Sequence, residues 1–146
     1  YFFITEPEFK SRVARGEMLE HAQVFGKHWY GTPRAAVEQS LRAGRLVILE
    51  IDVQGGLQVR RSMLEAFLIF IEPPDEHELL RRLRERRRED EPTIQCRFAE
   101  ARREIEVARA SGDYDVFIVN ADLDDAVAAV CRAIEQRRRS APGRPR

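Results

Sequence analysis

The run from Leu46 to Gly56 (LVILEIDVQGG) constrains this chain more than any other segment. Six aliphatic residues fall within positions 46–53, which predicts a strand buried on both faces, as in a parallel sheet. Two carboxylates, Glu50 and Asp52, break the pattern at its carboxyl end, just before a Gly pair. Buried carboxylates cost several kcal/mol unless they meet a cation, a donor or a ligand. In open α/β sheets, ligands bind beyond the carboxyl ends of the strands. The segment therefore predicts a site lined by Glu50 and Asp52, whose side chains, two apart on a strand, enter one cleft. They could accept from a base or a ribose, or hold a divalent cation through water; a solvated strand end is the alternative.

Strands and helices alternate along the rest of the chain. Thr5-Glu6-Pro7-Glu8 predicts a helix start, with Thr as N-cap, Pro just inside and Glu8 at the capping-box position, and Gly16 ends that helix. Met18 to Trp29 reads as one or two short strands, and Tyr30-Gly31-Thr32-Pro33 as a turn before a helix over 34–43. A helix from near Gly55 to Met63 follows the 46–52 strand. A second buried strand is predicted over 66–71, closed by Pro73-Pro74. Beyond it come a helix from Asp75, an acidic break at Glu89–Pro92, a long helix to Ala110, a strand over 114–120 and a last helix to about Arg137. This alternation predicts an α/β fold with a parallel sheet covered on both faces, while the polar stretch 1–32 reads as a small lobe of its own. The Phe residues at 67, 70, 98 and 117 read as core.

Totals exclude several classes. With 25 basic and 25 acidic residues in 146, no global field points to nucleic acid or a membrane surface. Cys96 and Cys131 lack CxxC spacing and read as reduced thiols of a cytoplasmic protein, and the three His residues have no metal-ligand spacing. No apolar run approaches membrane-spanning length. The charge is nevertheless uneven: residues 78–88 hold six Arg against two Glu, and 137–146 hold five Arg and no acid.

Two constellations carry chemistry. Glu20, with Thr32 downstream, offers a carboxylate able to accept both the N1–H and the exocyclic NH₂ of a guanine, and a hydroxyl able to donate to O6. Tyr1 and Tyr30 could hold phosphate oxygens without adding charge. The alternative is that Glu20 is a surface strand residue and Thr32 a helix cap before Pro33. The second constellation is the Arg-rich helix, with Arg86 and Arg97 flanking the acidic break. Phosphoryl transfer needs positive charge that closes over phosphates and excludes water, and the guanidinium fork suits it. A solvated helix face explains most of Arg81–Arg88 equally well. An RNA-binding patch is disfavoured by the absence of interleaved aromatics.

In order and spacing, these pieces resemble the guanylate kinase family. The matching segments are Tyr1-Phe2-Phe3, Phe9-Lys10, Leu19-Glu20-His21-Ala22, Tyr30-Gly31-Thr32, Leu49-Glu50-Ile51-Asp52-Val53-Gln54-Gly55, Phe70-Ile71-Glu72-Pro73-Pro74, Arg82-Leu83-Arg84-Glu85-Arg86 and Val119-Asn120-Ala121-Asp122-Leu123-Asp124. The resemblance implies a nucleoside-monophosphate-kinase fold: a three-layer core around a parallel sheet, a small strand-rich GMP-binding lobe and a helical lid. It implies a GMP lobe over 1–32 and a core over 33–139 with the lid at about 84–97; the Pro/Gly/Arg tail over 140–146 reads from its composition as disordered. The resemblance also implies that Glu20 and Thr32 read guanine and that Tyr1 and Tyr30 bind the GMP phosphate. Glu50 and Asp52 would border the GMP site and the magnesium region, Arg86 and Arg97 would reach the transferring phosphoryl group, and Asn120 would lie near the adenine. The implied reaction is transfer from ATP to GMP, with Mg²⁺ accompanying ATP and no dedicated protein metal ligand.

The departures define further expectations. The family's phosphate loop, G-x-x-G-x-G-K-[ST], occurs nowhere in these residues, so the chain is expected to be an N-terminally truncated piece of a bacterial enzyme. Its sheet would then lack its first strand, and the piece alone would be inactive and poorly stable. A one-residue insertion at Lys27-His28, Arg87 in place of Gly and Pro92 in place of Glu also depart from the family pattern. A non-catalytic module of the same family that binds peptide partners is the alternative.

Overall fold

The structure, a computed structural model, describes residues 2–24, 28–85 and 90–140, with the side chain of Val24 outside the description. It divides into two compact units, Tyr1–Ala66 and Phe67–Arg146.

In the first unit, α1 (Glu6–Ala14) starts where the capping sequence predicts, with the Thr5 hydroxyl accepting from the Glu8 N–H. It precedes an antiparallel pair, β1 (Met18–Val24) and β2 (His28–Pro33), in which Glu20 faces Thr32 and Ala22 faces Tyr30. Tyr30–Pro33, predicted as a turn, is thus strand. Its register with β1 decides this, and turn-forming residues such as Gly31 and Pro33 do not reveal a distant partner. Gly31 is required by close approach: a Cβ there would lie 2.7 Å from the Glu20 carbonyl oxygen and 2.8 Å from Met18 Cε. Two helices follow, α2 (Arg34–Arg42) and α3 (Val53–Ser62). The Gln58 side chain of α3 exchanges two hydrogen bonds with the backbone of His21, at 3.1 and 2.9 Å, and so occupies the open edge of β1 as a strand partner would.

The predicted strand 46–52 is corrected by the structure. The segment belongs to neither sheet, and only one of its sides is covered. Val47, Leu49 and Ile51 pack on the core of Leu19, Val37 and Val59, whereas Leu46 and Ile48 are 60% and 74% exposed. The period-two alternation of a strand is kept, but two-sided burial needs neighbours that periodicity alone cannot supply.

In the second unit, β3 (Ile69–Glu72) and β4 (Val116–Val119) pair in parallel. A parallel pair requires a long crossover, which α4 (Glu76–Glu85) and α5 (Glu91–Ser111) provide. Asp75 and Asp90 cap the two helices, and α5 ends at Gly112, whose φ of +68° is the left-handed conformation that glycine adopts most easily. The ladder continues past the strand ends: the Leu68 carbonyl accepts from the Asp115 N–H, and the Glu72 carbonyl from the Asn120 N–H. Leu68 and Ile118 are buried, and Phe70, Tyr114 and Phe117 pack ring against ring. Phe117, expected in the core, is 38% exposed. The last helix, α6 (Leu123–Ser140), begins behind Asp122, whose carboxylate accepts from the Asp124 and Asp125 N–H groups. No described helix is long and apolar enough to cross a membrane.

Candidate functional site

Glu20 is the centre of the first unit's candidate site. It lies on β1 just beyond an irregularity in the ladder and is only 5% exposed. Its cross-strand partner Thr32 donates its hydroxyl to Glu20 Oε1 at 2.6 Å. Acid and hydroxyl therefore converge, as the guanine argument requires. Among the described residues Glu20 has no basic partner, so its buried carboxyl rests on one neutral donor and retains accepting capacity. Glu20 Oε2 approaches the first turn of α3, where a Cβ on Gly55 would stand 3.0 Å from it. Tyr30 lies two residues before Thr32 on the same face of β2 and is half exposed.

Glu50 and Asp52 lie together on the exposed side of the 46–52 segment. Asp52 is also the N-cap of α3, its Oδ1 accepting from the Gly55 N–H at 2.7 Å. Sequence reasoning began that helix near Gly55 and missed this cap, although an Asp three residues before a Gly on a helix start is a capping signal. Tyr1 and Arg86 lie outside the described residues.

The second unit brings Arg97 and Asn120 together. They share a pocket of about 250 Å³ with Ile71, Glu72, Pro73, Leu79, Arg82 and Leu83. Arg82 Nη2 donates to the Asn120 carbonyl at 2.8 Å, while its Nε donates to Glu78 Oε1 at 2.6 Å. Arg81 grips the same Glu78 through Nε and Nη2, both at 2.6 Å. These hydrogen bonds, from Arg81 first and Arg82 second, hold the Glu78 carboxyl down to about 2 from its ordinary 4.5. A folded-state value below the unfolded one means that the contribution is complete above pH 4.5 and is lost as pH falls toward 2. In a ¹³C titration of the Glu side-chain carboxyls, the Glu78 resonance is expected to move only below about pH 3. A midpoint near 4.5 would show that the arginine fork does not persist in solution.

Sequence reasoning missed the roles of Glu72 and Arg109. Arg109 Nη2 lies 2.8 and 2.9 Å from the two Glu72 carboxylate oxygens. The available signal was a lone acid closing the apolar run FLIFIE, but nothing in the sequence names a partner 37 residues away. Among the described residues, no group of three or more His, Cys, Asp or Glu side chains stands together as a cation cage.

The sequence model of the family described as Guanylate kinase matches residues 1–137. The chain belongs to the guanylate kinase family. A guanylate kinase of Parasynechococcus marenigrum is 47% identical over 127 residues, covering 87% of this chain and 68% of its own length. A guanylate kinase of Streptomyces kasugaensis is 47% identical over 125 residues, covering 86% of this chain and 59% of its own length. Among solved structures, guanylate kinase from Anaplasma phagocytophilum matches with a TM-score of 0.72 at 33% identity, covering 93% of this chain and 64% of that one. The chain therefore has a guanylate-kinase-like α/β fold and spans between about half and two thirds of the family members it matches.

Proposed function

We propose that this chain serves phosphoryl transfer from ATP to GMP, giving ADP and GDP. The observation that supports the reading most directly is the buried Glu20 carboxylate with Thr32 bonded to it and no basic partner among the described residues. On this reading, guanine's N1–H and NH₂ complete the acceptors of Glu20, and the Thr32 hydroxyl turns its proton toward O6. Adenine presents an acceptor at N1, which meets the Glu20 oxygens like against like, and it lacks the exocyclic donor at position two. Tyr1 and Tyr30 are assigned to the GMP phosphate, with Glu50 and Asp52 bordering it. In the family's reaction a GMP phosphate oxygen attacks the γ-phosphoryl group in line, and the protein contributes position and charge rather than a covalent intermediate. Arg86 and Arg97 are assigned to that developing charge and Asn120 to the donor nucleotide.

Residues 1–32 are assigned as the GMP lobe and 33–139 as the core, with the lid at about 84–97. Mg²⁺ would travel with ATP, held by phosphate oxygens and water. These 146 residues contain no phosphate loop, so by themselves they are assigned GMP binding without turnover. The alternative is a non-catalytic module of the same family that binds peptide partners. Retention of Glu20, Thr32, Arg86 and Arg97 weighs against it.

Calorimetric titration of the chain with GMP and with AMP tests the reading. GMP is expected to bind at least about 100-fold more tightly, as for sites that reject a partner lacking the right hydrogen bonds. Equal affinity for the two would overturn the guanine assignment, and no binding of either would favour the module.

A further inference from the structure

One charge pair in the second unit is used by none of the assignments above. Glu72 ends β3 and is 7% exposed, and its carboxylate is held by both nitrogens of one edge of Arg109, at 2.8 and 2.9 Å from Nη2 and 3.3 Å from Nε. Glu72 lines the pocket of Arg97 and Asn120, whereas Arg109 is not among its described lining residues. The Glu72 carbonyl also accepts the Asn120 N–H at 2.8 Å, and Arg82 takes the Asn120 carbonyl. The backbone of Asn120 is thus fixed on both sides, one of them by Glu72.

We propose that Arg109 is a positioning residue for the phosphoryl donor, acting through Glu72. The proposal rests on the reading that this pocket takes ATP. A nucleoside triphosphate carries several negative charges, and an uncompensated buried carboxylate on the pocket wall would oppose it. The guanidinium fork cancels that charge from behind and locks the carboxylate in one orientation, so the wall presents a fixed, neutral edge. Lys would keep the charge but lose the fork.

The test is steady-state kinetics of the intact gene product, with Arg109→Gln, Arg109→Lys and the double variant Glu72→Gln/Arg109→Gln. Arg109→Gln is expected to raise KM for ATP about 10-fold, the scale for stripping a solvent-exposed guanidinium from a buried carboxylate, with KM for GMP within about twofold. The double variant, which removes the stranded charge, is expected to return KM for ATP to within about threefold of the parent, and Arg109→Lys to fall between. A pair that merely fastens α5 to the sheet would lower thermal stability with no split between the two KM values, and the double variant would be no better than the single; either result overturns the proposal. If Arg109→Gln does not fold, the Lys and double variants carry the same comparison. Absence of GMP phosphorylation in the parent protein would instead overturn the ATP:GMP reading itself, so the two failures are distinguishable.

Discussion

Glu20→Gln is expected to weaken GMP binding by about 100-fold while leaving the fold intact. Gln keeps the shape of Glu and can still accept from the Thr32 hydroxyl, so the contact at 2.6 Å survives the substitution. It has one accepting oxygen where Glu has two, so the two guanine donors no longer each meet an oxygen of their own. One charge-assisted bond is lost, and an NH₂ is set against a donor of the base. Hydrogen bonds to a charged group contribute about 1.5–3 kcal/mol each, and every 1.4 kcal/mol is tenfold in affinity. Titration with GMP reads the loss directly, and an unchanged melting temperature separates it from unfolding. Thr32→Val, which leaves the buried acid without its described donor, should lower both GMP affinity and stability. Unaltered GMP affinity in Glu20→Gln would remove the acid from the binding site.

Gly31→Ala is expected to lower stability by about 1–3 kcal/mol, the usual cost of forcing a group into filled space. The added methyl would stand 2.7 Å from the backbone oxygen of Glu20 and 3.2 Å from the His21 Cβ. Met18 Cε, at 2.8 Å, can swing away, but the Glu20 carbonyl is held in the ladder between β1 and β2. Relief therefore means separating the strands where Glu20 faces Thr32. For a chain of this size the loss corresponds to roughly 3–10 °C in Tm, measured by thermal denaturation. GMP affinity should fall with it, because the residue displaced is the one proposed to read the base. A melting temperature within a degree of the parent would mean that β1 and β2 are looser than the structure shows.

Much of the local structure was legible because its causes lie within a few residues. Thr5, Asp75 and Asp122 accept from N–H groups two or three positions on, and Gly16, Gly44 and Gly112 turn positive where helices end. The convergence of Glu20 and Thr32 was legible for a different reason: the residues stand in a motif order shared with a known family. What failed, failed for want of a distant partner. Tyr30–Pro33 carries turn residues yet is strand because β1 lies beside it. The 46–52 run reads as buried on both faces, yet Leu46 and Ile48 stand in solvent.

The amino-acid order by itself determined the alternation of helices and strands, the caps that bound them, the family and the candidate residues Glu20, Thr32, Arg97 and Asn120. Only the tertiary structure decided that Glu20 is buried against Thr32, that Asp52 caps α3 and that Arg109 lies across Glu72. Periodicity and capping are short-range effects, set by which side a residue turns to and which N–H lies three positions on. Burial and charge pairing depend instead on segments tens of residues apart meeting within a few ångströms, and no local pattern encodes that distance.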